Sequence, residues 1–416
     1  MKAIALDPPA GGARVAKQPP AKQARTWWLI HQWVGLKLSI LMSFVLLTGT
    51  LAVFSAEMDW LMRPALRVEA GSVQGPVNWS AITRNSAAYC PACRIQSIDA
   101  PVAGLFAASV TMRRPEGGLF FLYAHPTTGV VQGEGHWVGA ERVLRNMHRH
   151  LNMPVWLGVP IVSALALLLL VSFATSLIVY KKWWRGFKRP IRTRDARTGW
   201  GDFHRLAGVW SLWFLAMIIV TSLWYLVESL GGEAPLAPRA TAPMVALPAP
   251  SLAERVAAGL AAAQAAEPAL AIERVQFPTD RVGAFIFEGQ KSALLVRPRA
   301  NAVWTSAADG QALLVTDALD LSVHQRISEA ADPLHFGTFG GYWTKVPWFL
   351  FGLLLTGLSV SGATLYAMRL NRSKQLKGQS GAVLARAWRG MNVWRWPALA
   401  LVLTGFALLP TLFSID

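Results

Sequence analysis

Acidic residues are scarce in this chain of 416 residues: 23 aspartates and glutamates stand against 40 lysines and arginines, a formal charge of +17. Charge of either sign is thin, at 15% of residues against about 25% in an ordinary soluble domain. That shortfall argues against a pair of soluble domains. The basic residues stand beside apolar runs rather than along one face, so nucleic-acid binding is set aside. Cysteine is nearly absent, and the two present, Cys90 and Cys93, cannot complete a four-ligand zinc site. No Gly-x-Gly-x-x-Gly follows a strand-like segment, which argues against nicotinamide or flavin binding within the chain.

What is abundant is apolar sequence, 53% of residues. Runs long enough to cross a bilayer extend from Trp28 to Phe54, Val155 to Tyr180, Leu206 to Val227, Trp348 to Met368 and Trp394 to Phe413. The last is interrupted by Pro397 and Pro410 and is the weakest. The first is too long for a secretory signal peptide and lacks a small-residue cleavage site, so it is expected to be retained. Residues 1–30 carry five basic side chains and one acid, 181–205 nine and two, and 369–395 seven and none. By the positive-inside rule these segments face the cytoplasm and the two long loops face the periplasm of a bacterial inner membrane. Trp27, Trp28, Trp183, Trp184, Trp343, Trp348, Trp394 and Trp396 lie at span ends, where indole rings favour the interface.

The expected fold is a mainly α membrane protein with a four-helix transmembrane core, a fifth weaker span and two α+β external domains. Its divisions are a basic N-terminus (1–27), spans at 28–55, 151–181, 204–229, 346–369 and 393–414, basic loops at 182–203 and 370–392, and external segments at 56–150 and 230–345. The halves repeat as span, long loop, span, an arrangement that places sites at the repeat interface. In the first external segment a helix is expected over Ser80–Ala88 and strands over Arg94–Asp99, Leu105–Met112 and Leu119–Ala124. In the second, a helix is expected over Leu252–Ala266 and strands over Ile272–Phe277, Gly283–Phe287 and Ala293–Arg297, with a turn near Ala308-Asp-Gly310. Gly231–Pro250 reads as a linker. Cys-Pro-Ala-Cys in an oxidising external compartment is better read as a small structural disulfide than as a redox dithiol.

The histidines carry the chemistry. Of eight, four stand at or just before different spans: His31 and His204 on the cytoplasmic side, His148 and His335 on the periplasmic side. Two imidazoles from two helices at one membrane face are what axial ligation of a haem iron requires, and a helix bundle supplies the apolar slot. One interfacial histidine alone is ordinarily a polar anchor; four, two per face, are not so easily dismissed. His31/Gly35 and His204/Gly208 share a His-x-x-x-Gly spacing that leaves room for a flat porphyrin one turn along. His150 lies roughly 200° around a helix from His148, so both cannot serve one iron. His148 is preferred, with His150 and His324 as alternates, while His125 and His136 read as loop residues. Lys37, the one cation inside an apolar run, is about 9 Å along the axis from His31. Its candidate partners are a haem propionate and, by snorkelling, the interface.

Ile30-His-Gln-Trp-Val-Gly-Leu36, Met147-His-Arg-His-Leu151, Asp202-Phe-His-Arg-Leu-Ala-Gly-Val-Trp210 and Leu334-His-Phe-Gly-Thr-Phe-Gly-Gly341 resemble the PepSY-associated transmembrane family, which includes bacterial inner-membrane ferric-siderophore reductases. Tyr123-Ala-His-Pro-Thr-Thr-Gly-Val130 resembles a PepSY strand–turn signature. The resemblance implies a core with two b-type haems, periplasmic PepSY-like domains, and His31, His204, His148 and His335 at the family's histidine positions. His150 departs from a usual small residue and His125 from a usual Asp or Asn. The expected activity is reduction of a ferric siderophore or other ferric chelate to release Fe(II), with electrons from a quinol or a cytoplasmic reductase and membrane lipid as the surrounding partner; no catalytic side chain is singled out. Arg113, Arg114, Arg297 and Arg299 are candidates to attract an anionic chelate, against a plain reading as solvated charge. The rival readings are a membrane-anchored PepSY protein that binds or senses peptide without redox activity, and a siderophore transporter. The latter wants polar or broken helices at mid-bilayer.

Overall fold

A computed structural model describes residues 22–243, 249–369 and 380–414. The expectations for residues 1–21 and 370–379 lie outside them. The first half of the chain builds α1 (Lys22–Lys37), α2 (Ser39–Ala52), α3 (Ser55–Met62), α4 (Trp79–Tyr89), β1 (Arg94–Asp99), β2 (Ala108–Arg113), β3 (Leu119–Ala124), β4 (Val131–His136), α5 (Ala140–His150), α6 (Val155–Ser163) and α7 (Leu165–Val179). The second half repeats the plan with α8 (Ala196–Trp210), α9 (Leu212–Ser229), α10 (Ala249–Ala266), β5 (Ala271–Gln276), β6 (Ala284–Gln290), β7 (Asn301–Ser306), β8 (Ala312–Thr316), α11 (Val323–Phe336) and α12 (Tyr342–Arg369). α13 (Ser380–Gly390), α14 (Arg395–Ala407) and α15 (Pro410–Phe413) follow.

Val155–Val179, Leu212–Ser229, Tyr342–Arg369 and Asn392–Phe413 are long and apolar enough to cross a membrane. Only 11–28% of each is buried within the chain, so most of their apolar surface faces outward, as a lipid solvent permits. The first expected span is not one straight helix: α1 and α2 meet at Leu38 with a bend of 67°. The second half breaks at Ser211, and both breaks fall seven residues past a histidine, His31 or His204.

The two external segments do not form two separate domains. Their strands join in one antiparallel sheet of eight, ordered β4-β3-β2-β1-β5-β6-β7-β8. The seam pairs Ser97 with Gln276, Ile98 with Val275 and Asp99 with Arg274. Each half alone would expose an edge strand with unpaired backbone groups, and pairing β1 with β5 removes both edges. Ile98 and Val275 are fully buried there. α4 and α10 lie against one sheet face, so Trp79 and Ile82 share a single core with Val256, Phe285, Phe287 and Val303. Asn78 starts α4 by accepting the Ala81 N–H. Cys90 and Cys93 form a disulfide just past its end and pack against the same core. So short a loop stabilises by about 2 kcal/mol in the chain-entropy account.

Ala293–Arg297 is not a strand. Leu295 takes φ 56, and Val296 packs with Ala300 and Ala318 in a local cluster. β4, β7 and β8 were not foreseen. All six β7 residues are buried, which erases the alternation that marks a half-exposed strand. β4 carries two glycines, poor strand formers.

On the basic side, Asp202 organises the loop after α7. Its carboxylate accepts from the Arg192 backbone N–H at 3.0 Å, and from Arg192 Nε at 2.8 Å and Nη2 at 3.1 Å, with Arg205 nearby. These hydrogen bonds hold its pKa well below the usual carboxylate range. A depressed acid contributes stability that is complete above its unfolded pKa, about 4, and fades only as pH falls toward its folded value. Asp202→Asn is therefore expected to loosen residues 187–195 at neutral pH, read as several-fold faster tryptic cleavage at Lys188 and Arg192. Unchanged cleavage would show the loop is held by other contacts.

Candidate functional site

The structure brings the four expected histidines together in two pairs across the repeat interface. His31 on α1 and His204 on α8 have ring centres 6.5 Å apart. His148 on α5 and His335 on α11 have ring centres 5.9 Å apart. Two imidazoles on opposite sides of one metal, each nitrogen roughly 2 Å from it, stand with ring centres roughly 6 Å apart.

Each ring is anchored through Nδ1 by the other span of its own repeat. His31 Nδ1 reaches the Ser172 carbonyl and Thr175 Oγ1 on α7, both at 3.1 Å. His204 Nδ1 reaches Ser361 Oγ on α12 at 2.8 Å, the corresponding helix of the second half. His148 Nδ1 reaches the Val45 carbonyl on α2 at 2.8 Å, and His335 Nδ1 reaches Thr221 Oγ1 on α9 at 2.8 Å. The tautomers follow. A carbonyl only accepts, so His31 and His148 donate from Nδ1. Ser361 Oγ already donates to the Leu358 carbonyl, and Thr221 Oγ1 to Met217 and Ile218. Both hydroxyls therefore accept from their histidine. All four Nε2 atoms are left with a free lone pair, the form that binds a metal. Burial brings the His335 pKa down to about 3, with the neighbouring His148 adding to the effect, and burial also lowers that of His148. Both rings are neutral at physiological pH.

Glycines shape the slots, but not only those foreseen. A Cβ added at Gly35 would meet nothing within 4 Å, and one at Gly208 only Leu358 at 3.6 Å. The close approach is at Gly49, where a Cβ would run into the His148 ring. Gly49 and His148 are far apart in sequence, so no local spacing could have flagged the contact.

The other expected residues fall elsewhere. Lys37 Nζ donates to the Gly390 carbonyl at 2.8 Å, closing the end of α13 at the α1–α2 bend, which is neither of the partners expected for it. The cation near His31 and His204 is Arg369, which bears on both rings and stacks on Trp28 at 4.7 Å. His150 is buried, but its ring makes no contact with another histidine among the described residues. His324 Nε2 donates to the Gly232 carbonyl at 3.2 Å and packs on Trp224. His125 bonds Ser72 and the following turn, and His136 lies on β4. Arg114 pairs with Glu134, while Arg297 and Arg299 converge on Glu329, so these arginines are engaged within the protein.

His148 and His335 line a cavity of about 1280 Å³ that runs from the helix bundle, at Val45 and Leu355, to the sheet face opposite α4 and α10, at Glu288 and Trp304. Tyr225 packs on His335 at 5.4 Å and donates to Asp332 at 2.6 Å. Burial would raise the Asp332 pKa, but Arg297 and the Tyr225 hydroxyl outweigh it and hold the carboxylate ionised.

A helical bundle of apolar spans with a histidine pair toward each end, joined to an eight-stranded sheet, defines a multi-pass membrane protein. The chain belongs to the PepSY-associated TM region family, whose profile matches residues 28–369. Among curated proteins none matches. The matched region ends with α12, so α13, α14 and α15 lie beyond it.

Proposed function

We propose that the chain is a transmembrane di-haem electron carrier that reduces a ferric chelate, such as a ferric siderophore, in the cavity that His148 and His335 line. The observation that carries this reading is the set of four imidazoles anchored through Nδ1 and gathered two by two, with ring centres at a spacing that two imidazole ligands of one metal would have. Among the described residues no group of three or more His, Cys, Asp or Glu gathers around a metal. A metal at either pair would take its other ligands from a bound group, as a porphyrin provides. Bound there, haem supplies one-electron redox chemistry in an apolar interior. The residues of the chain fix ring orientation through Nδ1, keep the imidazoles neutral and exclude water. Arg369 is the residue we assign to a haem carboxylate, in place of Lys37. Along α12, Trp348, whose indole bonds the Leu334 carbonyl beside His335, stands roughly 20 Å from Ser361, which anchors His204. One rigid helix thus spaces the two sites.

The basic side carries Lys181, Lys182, Arg185, Lys188 and Arg189, which supports reading it as the cytoplasmic face of a bacterial inner membrane, with the sheet on the periplasmic face. A quinol or a separate reductase supplies the electron, Fe(III) in the chelate accepts it, and hard-oxygen chelation weakens around Fe(II). The test is a reduced-minus-oxidised optical spectrum of the detergent-purified chain with haem counted per polypeptide, followed by ferric-chelate reduction with an Fe(II)-trapping dye. Two low-spin b haems and dye colour dependent on reduced protein are expected. A featureless spectrum from cells supplied with haem would sink the proposal.

A further inference from the structure

We propose that the C-terminal helix α14, beyond the family-matched region, is a positioning element for His148, acting through Asn152 and Gly405; this rests on the haem reading above. α5 ends at His150, and the next two residues, Leu151 and Asn152, take φ 53 and φ 55, a left-handed backbone that asparagine adopts readily and leucine seldom does. The turn is closed by Asn152 N–H to the Asn146 carbonyl and Met153 N–H to the His150 carbonyl, and α14 packs against it. The Asn152 amide donates to the Gly405 carbonyl at 2.9 Å. At Gly405 the helices touch so closely that a Cβ would stand 3.2 Å from Met147 Sδ and 3.4 Å from the Leu151 carbonyl oxygen. Met147 immediately precedes His148. Below this contact Ala398 and Val402 are buried with Leu41, Val45 and Leu151, and Phe406 packs on Phe44 at 5.6 Å. α14 therefore presses on both halves of the His148 hydrogen bond: the turn that ends α5, and the stretch of α2 whose Val45 carbonyl accepts from Nδ1. The far end of α5 is fixed separately, because Asp59 accepts from the Ala140 and Glu141 N–H groups. The helix is pinned at its start and its stop, and the C-terminal pin sets how deep the His148 ring sits. His335 is braced from α12 instead, where the Trp348 indole donates to the Leu334 carbonyl at 2.7 Å. Its helix ends at Gly337, whose φ of 69 costs a glycine nothing, with Trp348 against it.

Asn152→Gly accepts the left-handed backbone without strain yet loses the amide, and Gly405→Val drives a side chain onto Met147. Each is compared with the wild-type full chain in detergent by potentiometric titration and low-temperature EPR, with the two haem steps assigned from His335→Ala. In both variants the step and g-values of the His148/His335 haem are expected to shift, while those of the His31/His204 haem stay in place. Asn152→Gly is the deciding variant, since a turn needed only for its backbone shape would leave it identical to wild type. If Gly405→Val does not accumulate, Gly405→Ala replaces it, with a smaller shift in the same step. Two steps superimposable on wild type, or both shifting together, would overturn the positioning role while the haem reading stands. A wild-type chain without haem would remove both.

Discussion

His335→Ala is expected to leave one haem per chain instead of two and to abolish ferric-chelate reduction while the chain stays folded. The ring donates to Thr221 and packs on Tyr225, and its Nε2 is, with that of His148, one of the two proposed ligands at its site. Among the described residues, His324 lies on the same helix but is engaged with Gly232 and Trp224, and His150 contacts no other histidine ring. The His31/His204 pair draws its anchors from α7 and α12, so its haem should persist with an unchanged spectrum. The Thr221 hydroxyl still donates to Met217 and Ile218 in the variant, which limits the cost of its lost partner. Haem counting, optical spectra and the dye assay on one preparation check all of this. Retention of both haems would mean that His335 is not a ligand.

The second large effect needs no ligand to be removed. Gly49→Val is expected to eject the same haem, because the new side chain occupies the space of the His148 ring. Overpacking costs about 1–3 kcal/mol. Pushing His148 off the Val45 carbonyl leaves a buried N–H unpaired, for about 1–3 kcal/mol more. A lowered melting temperature should therefore accompany loss of one haem. Gly35→Ala is the contrasting variant, since its Cβ meets no protein atom within 4 Å. Haem loss there would locate the porphyrin against α1, and full occupancy would leave that space to lipid. Retention of both haems in Gly49→Val would show that the ring has freedom the packing denies.

Much of this protein is legible from its residues alone. Apolar runs with basic flanks mark the spans because bilayer thickness dictates their length and no partner is needed to see it. The same holds for the positions of His31, His148, His204 and His335, since standing at the entrance of an apolar run is a local property. Leu119–Ala124 is a strand within those bounds for a similar reason, being rich in aromatic residues that favour a half-buried sheet.

Whatever joins distant parts of the chain was decided by tertiary structure. β1 and β5 pair across some 175 residues because two open edges are costlier than one seam, and neither edge can be recognised before the other is known. Lys37 turns to the Gly390 carbonyl, more than 350 residues away. The hydroxyls and carbonyls that set the histidine tautomers belong to the opposite helix of each repeat, where an ordinary threonine such as Thr221 or an unremarked carbonyl such as that of Val45 carries no sequence signal. Sequence determined which side chains are able to bind a metal and at which end of a span each stands. The pairing of those side chains, and which nitrogen each one presents, follows from helix packing, because hydrogen-bond and steric complementarity exist only once both surfaces are in place.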